Sequence, residues 1–205
     1  MKIIFDRVCS SGGLQDLSLE LLVERVCVIN DSTELQGKRI LNTIIGLDEI
    51  ISGSLTIDGI PWLEFISHQP MPRVFGYVFD EAVMLSNLSL RENLLLPYRM
   101  LNDDKADDNF ETEVQDWMRQ FGLSLDLASR PNVIRPPELK LLGFIRPLLF
   151  SPRLLLIDNP YYLLNEPQRC TVLEVLNRLK SSLPLLILSS DSDFNRGFAA
   201  QIIKI

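Results

Sequence analysis

The chain has 205 residues, 46% of them hydrophobic and 23% charged, which is enough for one domain with a sizeable buried core. Its formal net charge of −7 argues against a surface built to neutralise nucleic-acid phosphates or anionic lipid, so no nucleic-acid partner is expected.

The N-terminus, Met1-Lys2-Ile3-Ile4-Phe5-Asp6, meets a charge too early for a signal peptide. No apolar run approaches the ~20 residues of a spanning helix, so direct membrane insertion is not expected and any membrane attachment would run through a partner. Lys2 to Val8, Leu17 to Leu22 and Arg25 to Ile29 read as short strands, with Ser10-Ser11-Gly12-Gly13 as turn chemistry between the first two. A polar loop from Asn30 to Gln36 is closed by Gly37-Lys38-Arg39, and Ile40 to Leu47 then carries apolar residues at helical spacing with Gly46 near its end. Strand, loop ending in Gly-Lys, helix is the order in which a phosphate-binding P-loop is built.

Ser52 to Gly59 and Val74 to Phe79 read as further strands, and the single histidine, His68, as a surface residue in the connection between them. From Leu85 to about Phe150 the period becomes helical, over Leu90 to Met100, Glu111 to Phe121 and Glu138 to Phe150, with a solvated acidic loop from Asn102 to Asp108. Leu154-Leu155-Leu156-Ile157 then runs into Asp158-Asn159-Pro160. Four aliphatics ending in a carboxylate read as a strand buried on both faces, its tip at the carboxyl edge of a parallel sheet, where open α/β sheets place ligands. In P-loop hydrolases such a tip carries an Asp that helps hold Mg²⁺, which makes Asp158 the candidate metal ligand. Glu166 to Ser181 is an amphipathic helix, Leu185 to Leu188 a buried strand and Gln201 to Ile205 a last short one. Cys9, Cys27 and Cys170, odd in number and widely spaced in apolar contexts, read as free buried thiols of a reducing compartment.

The order of these pieces resembles the ATPase subunit of an ABC (ATP-binding cassette) transporter over nearly the whole chain. Ile44-Ile45-Gly46-Leu47 with Ser52-Gly53-Ser54-Leu55-Thr56-Ile57-Asp58-Gly59 is similar to the family's "IAGL…SGxxxxDG" block. Phe75-Gly76-Tyr77-Val78-Phe79 with Asn87 to Asn93 resembles "GYVFQ…NLTVxEN", and Ile145 to Pro160 resembles "ARAL…P.LLLLDEP". The fold implied is α/β: a P-loop NTPase-like parallel-sheet core with an N-terminal antiparallel β part and an inserted helical subdomain. It would form a single domain over 1–205, with 1–84 and 151–205 as the core and 85–150 as the helical insertion.

The positions that carry the family's chemistry depart from its pattern. Gly37 and Lys38 match the glycine-lysine of the phosphate loop, but Arg39 stands where a hydroxyl should bind Mg²⁺, and Asp31, Ser32, Glu34 and Leu35 stand near the other loop glycines. Asp80 replaces the glutamine that the family carries after the position of Phe79, and Asn159 the general-base glutamate after Asp158; an amide can orient water but cannot take its proton. Ser190 stands at the position of the histidine that meets the γ-phosphate, and Pro136-Pro137 replace two signature glycines whose N–H groups would face it. No aromatic between Cys9 and Leu14 is available to stack on adenine.

Taken together, the resemblance implies a degenerate nucleotide site of Gly37, Lys38, Arg39, Asp80 and Asp158, at which ATP and Mg²⁺ bind poorly or not at all. A pseudo-ATPase is expected, docking on a membrane permease subunit and pairing with a second ABC ATPase subunit, like or unlike itself. It would be cytoplasmic, peripheral on the inner face of the cell membrane through that permease. Two alternatives fit the same residues: a divergent but active ATP-hydrolysing subunit, and a soluble regulator sensing a nucleotide or anion at Lys38 and Arg39. Mg-ATP should leave the melting temperature unchanged for the pseudo-ATPase and raise it for the others. Asn93 to Arg99 resembles a stretch in lipid-transport members, a hint about cargo.

Overall fold

The computed structural model describes residues 1–33, 35–67, 71–100, 106–198 and 201–205, without the side chains of 98–100 and 106–108. Glu34, His68 and Asn102 to Lys105 therefore lie outside the described residues. The chain begins β1 (Lys2–Ser10), β2 (Leu17–Leu22), β3 (Val26–Asn30), α1 (Leu35–Ile44), β4 (Ile50–Ile57) and β5 (Ile60–Pro61). Two short helices, α2 (Trp62–Ser67) and α3 (Met71–Val74), lead into β6 (Phe75–Val78). Then come α4 (Leu90–Met100), α5 (Ala106–Gln120) and α6 (Pro136–Leu148). β7 (Leu154–Asp158), α7 (Glu166–Leu179), β8 (Leu185–Leu188), α8 (Ser192–Gly197) and β9 (Gln201–Lys204) complete it.

Two sheets form, one antiparallel in the order β2-β1-β4-β5 and one in the order β6-β7-β8-β3-β9 whose pairs are all parallel. The expected α/β architecture, with its N-terminal antiparallel part, is the one observed. The aliphatic runs in β7 and β8 have a direct cause, since the parallel sheet is covered on both faces. Leu155, Ile157, Leu185 and Ile187 pack with α4 to α8, in one core with Phe144, Val172 and Phe194. Leu154, Leu156, Leu186 and Leu188 point the other way, into a core shared with α1 and the antiparallel sheet through Ile40, Ile3 and Leu55.

Two readings need correction. Gly37, Lys38 and Arg39 do not close a loop but lie within α1, which starts at Leu35. The thiols are free but not uniformly buried: Cys27 is buried, Cys9 half-buried and Cys170 exposed. In α7 it is Val172, Val175 and Leu176 that face the core, which leaves Cys170 on the outer side. Short helices α2, α3 and α8 went unread because a turn or two is too brief for a 3.6-residue period.

The side chains of Asn93 to Leu95 do the work of packing. Asn93 is buried, with its Nδ2 donating to the carbonyls of Leu85 and Ser89 at 3.0 and 2.9 Å, while Leu94 and Leu95 join the core.

Candidate functional site

β3 and β7 deliver Asn30 and Asp158 to the same edge of the parallel sheet, with β8 between them, and α1 begins just beyond β3. The first N–H groups of a helix have no partner inside it and carry the positive end of its dipole. In α1 they meet Asp31: Oδ2 accepts from the N–H groups of Gln36 and Gly37 at 2.9 and 3.0 Å. Its Oδ1 accepts from the N–H and the hydroxyl of Thr33 at 2.8 and 2.7 Å. Burial alone would raise the Asp31 pKa, but the donors of Gly37, Thr33 and Gln36 outweigh it and hold the carboxyl below its ordinary value. Gly37 itself is where it is because α1 lies against the sheet, and a Cβ there would stand 2.3 Å from Leu188 Cδ1.

One turn into α1, Lys38 reaches across the sheet edge. Its Nζ donates to Asp80 Oδ2 at 2.6 Å, just past the end of β6, and lies 3.6 Å from Asp158 Oδ2. Desolvation works against the ammonium, yet Asp80 and Asp158 raise its pKa above the ordinary value; Asp80, opposed by burial, is lowered in return by Lys38. Arg39 turns away to the other side, donating through Nη1 to the carbonyl of Gly13 at 3.1 Å. Gly13 has φ +100°, and a Cβ there would press to 3.1 Å on the guanidinium.

Asp158 is fully buried and neither carboxylate oxygen has a hydrogen-bond partner among the described residues. Beside it lies a residue the sequence reading passed over. Lys140 of α6 is fully buried, and its Nζ donates to the main-chain carbonyls of Phe79 and Asp158 at 2.6 and 3.1 Å. Burial pushes the Lys140 pKa down to about 8. Burial pushes Asp158 up to about 6, with the Asp80 charge adding to the rise and Lys38 and Lys140 opposing it. The absence of any polar side chain one turn away, at Pro136, Pro137, Gly143 and Phe144, was the available signal, since a solvent-facing lysine has polar neighbours there.

A group with a raised folded pKa stabilises the fold fully below its unfolded pKa and loses that contribution as pH rises through the folded one. Between about pH 4 and pH 6.5, wild type should therefore lose about 1–3 kcal/mol relative to Asp158→Asn, measured by urea unfolding at each pH. An unchanging difference between the two proteins would mean that Asp158 does not titrate as its burial demands.

Asn159 and Ser190 are brought together. They line one cleft of about 240 Å³ with Tyr161, Tyr162, Arg169 and Asp191. Asn159 takes φ +45°, and its N–H donates to the carbonyl of Leu188 at 3.0 Å, tying β7's tip to β8's. Asp191, the one carboxylate lining this cleft, is the N-cap of α8, its Oδ1 accepting from the N–H groups of Asp193 and Phe194, each at 2.9 Å.

At the start of α6, Pro136 and Pro137 have no N–H, and those of Glu138 and Leu139 both donate to the carbonyl of Arg135, at 3.0 and 3.1 Å. Arg135 Nη2 also pairs with Glu138 Oε1 at 2.7 Å. Both helix starts that could face phosphate are thus satisfied from within. A phosphate brought to α1 would meet the Asp31 carboxylate, and a cation brought between Asp80 and Asp158 would meet the Lys38 ammonium.

The pattern of the ABC transporter family matches residues 37–162. Molybdenum import ATP-binding protein ModC 1 from Azotobacter vinelandii is 30% identical over 188 residues, covering 89% of this chain and 51% of that protein. ModC from Pseudomonas aeruginosa is 31% identical over 160 residues, covering 75% of this chain and 43% of that protein. The chain thus spans about half the length, or less, of the curated relatives it matches. Among solved structures, the dimer of the ATP-binding cassette MJ0796 bound to ADP and Pi superposes with a TM-score of 0.81 at 18% identity, over 100% of this chain and 94% of that one. For cbiO1 from Clostridium perfringens, part of the transporter complex cbiONQ, the TM-score is 0.70 at 16% identity, over 94% and 79% of the two chains. These two likenesses concern the fold alone.

Proposed function

The chain belongs to the ABC transporter family, and from that premise we propose that it is the cassette subunit of a transport complex, docking on a membrane permease and turning over no ATP. The cleft beyond β7 and β8 carries this reading. Hydrolysis needs a base beside the attacking water; the cleft offers the Asn159 amide and the Ser190 hydroxyl, with Asp191 already serving as a helix cap. Pro136 and Pro137 remove the N–H donors that family members bring to a partner's phosphate. Losing one general base or one preorganised donor typically costs about 10²-fold or more in rate, and here several are lost together.

The helical segment between β6 and β7, residues 85–150, serves as the docking subdomain, and attachment to a permease holds the protein peripherally at the inner face of the membrane. No helix among the described residues is long and apolar enough to cross a membrane. A second cassette, like or unlike this one, completes the pair, as in the dimeric MJ0796 structures. Relatives named for molybdenum import favour that cargo over a lipid.

Purified protein given Mg-ATP should release no phosphate above the protein-free rate. Asn159→Glu should release none either, because Pro136 and Pro137 remain. Phosphate release that scales with wild-type concentration and disappears in Lys38→Ala would overturn this reading.

A further inference from the structure

We propose that the nucleotide site of this cassette is filled by the chain itself, the Asp31 carboxylate standing in for phosphate and the Lys38 ammonium for the divalent cation. The inference rests on the no-turnover reading and extends it from catalysis to binding. Two independent placements carry it. At the N-terminus of α1, a helix of ten residues, an anion already holds the N–H groups of Gln36 and Gly37. The same carboxylate is held from its other oxygen by Thr33, so it is fixed in place by four donors. An incoming phosphate would find the positive end of the helix dipole already neutralised by a tethered negative charge.

The second placement lies across the sheet edge. Asp80 lies just past β6 and Asp158 ends β7, and two such carboxylates facing one point are an oxygen donor pair suited to a hard divalent cation. Here that point holds Lys38 Nζ, 2.6 Å from Asp80 and 3.6 Å from Asp158. Lys140 supplies a second positive charge behind Asp158, so two lysines balance two carboxylates. A divalent ion added to this group would bring charge that nothing compensates, and it would have to expel a covalently tethered competitor whose effective concentration no dilution lowers. The loop end, α1 and the tips of β6 and β7 are therefore held together without nucleotide or metal, and the cassette keeps one arrangement whether or not ATP is present.

The test uses Mn²⁺ and Mn-ATP as probes, read by the free-Mn²⁺ electron paramagnetic resonance signal and by thermal melting. Wild type should take up neither, with an unmoved melting temperature. Lys38→Ser, which removes the tethered cation, should bind Mn²⁺ more tightly than wild type by an order of magnitude or more. Adding Asp31→Gly should extend that gain to Mn-ATP and raise the melting temperature. Mn-ATP bound by wild type overturns the proposal while leaving the no-turnover reading intact, and so does a folded Lys38→Ser that gains no Mn²⁺. Should Lys38→Ser fail to fold, ¹⁵N spectra of wild-type lysine side chains decide. A Lys38 ammonium, assigned apart from that of buried Lys140, whose resonance does not respond to Mg-ATP supports the proposal, and one that shifts on addition of Mg-ATP sinks it.

Discussion

Replacing Lys140 with Met should cost about 3–5 kcal/mol of stability, far more than the modest change in side-chain volume suggests. Lys140 is fully buried in α6, with its Nζ 5.5 Å above the Phe144 ring and donating to the carbonyls of Phe79 and Asp158. Those carbonyls stand at the ends of neighbouring strands, so one ammonium holds the tips of β6 and β7 together. Methionine fills the space but leaves both carbonyls without their donor, and it leaves a buried Asp158 whose oxygens have no hydrogen-bond partner facing the Asp80 charge with less to offset it. The melting temperature should fall by about 10 °C, at about 2–4 °C per kcal/mol for a chain of this size. Arginine should not restore it, because a planar fork does not fit where a compact ammonium meets two carbonyls. Adding Asp158→Asn to Lys140→Met should recover part of the loss, and the double-mutant cycle then gives the coupling directly. A loss under about 1 kcal/mol in the single variant would mean that Lys140 is not the brace its hydrogen bonds describe.

The contrast between Lys140 and the strand beside it shows what a sequence displays and what it hides. Leu154 to Ile157 and Leu185 to Leu188 were legible because a strand covered on both faces must be apolar at every position, and few other structures demand that over four residues. Lys140 was illegible because a lysine in an amphipathic helix ordinarily faces water, and its partners, Phe79 and Asp158, lie far off in sequence. The Lys38–Asp80 pair spans 42 residues, and only the parallel order β6-β7-β8-β3 brings it together. At Gly37-Lys38-Arg39, glycine and two charges suggested a loop, whereas the helix extends back to Leu35 because Asp31 satisfies its first N–H groups. Tertiary contact likewise supports α2, where Trp62 Nε1 donates to the carbonyl of Ile44 at 2.8 Å, beyond the reach of local periodicity. The residue types at positions 39, 80, 136, 137, 159 and 190 are plain in the sequence, but the ion pairs of Lys38 with Asp80 and Asp158 are not.

Phe194→Ala should have an effect of similar size by a different route, costing about 3–5 kcal/mol through loss of a buried ring. Phe194 lies in α8, fully buried, 5.0 Å from the Tyr161 ring at an edge-on 84° and 5.3 Å from Phe198, nearly stacked at 21°. Tyr161 belongs to the loop after β7 and Phe194 to the segment after β8, so this contact joins the two loops that frame the Asn159 and Ser190 cleft. Alanine would leave a ring-sized void between them, and the loops are too short to collapse into it without moving β7's tip. Hydrogen exchange should accelerate first at the Asn159 and Phe194 amides, which donate to Leu188 and Asp191 respectively, and least in α1, whose start is held by Asp31. Phe194→Leu should lose markedly less, since most of the buried volume returns. Uniform acceleration across the whole chain would mean that the ring stabilises only the global fold. Acceleration confined to these two loops would show that aromatic packing fixes the walls of the cleft.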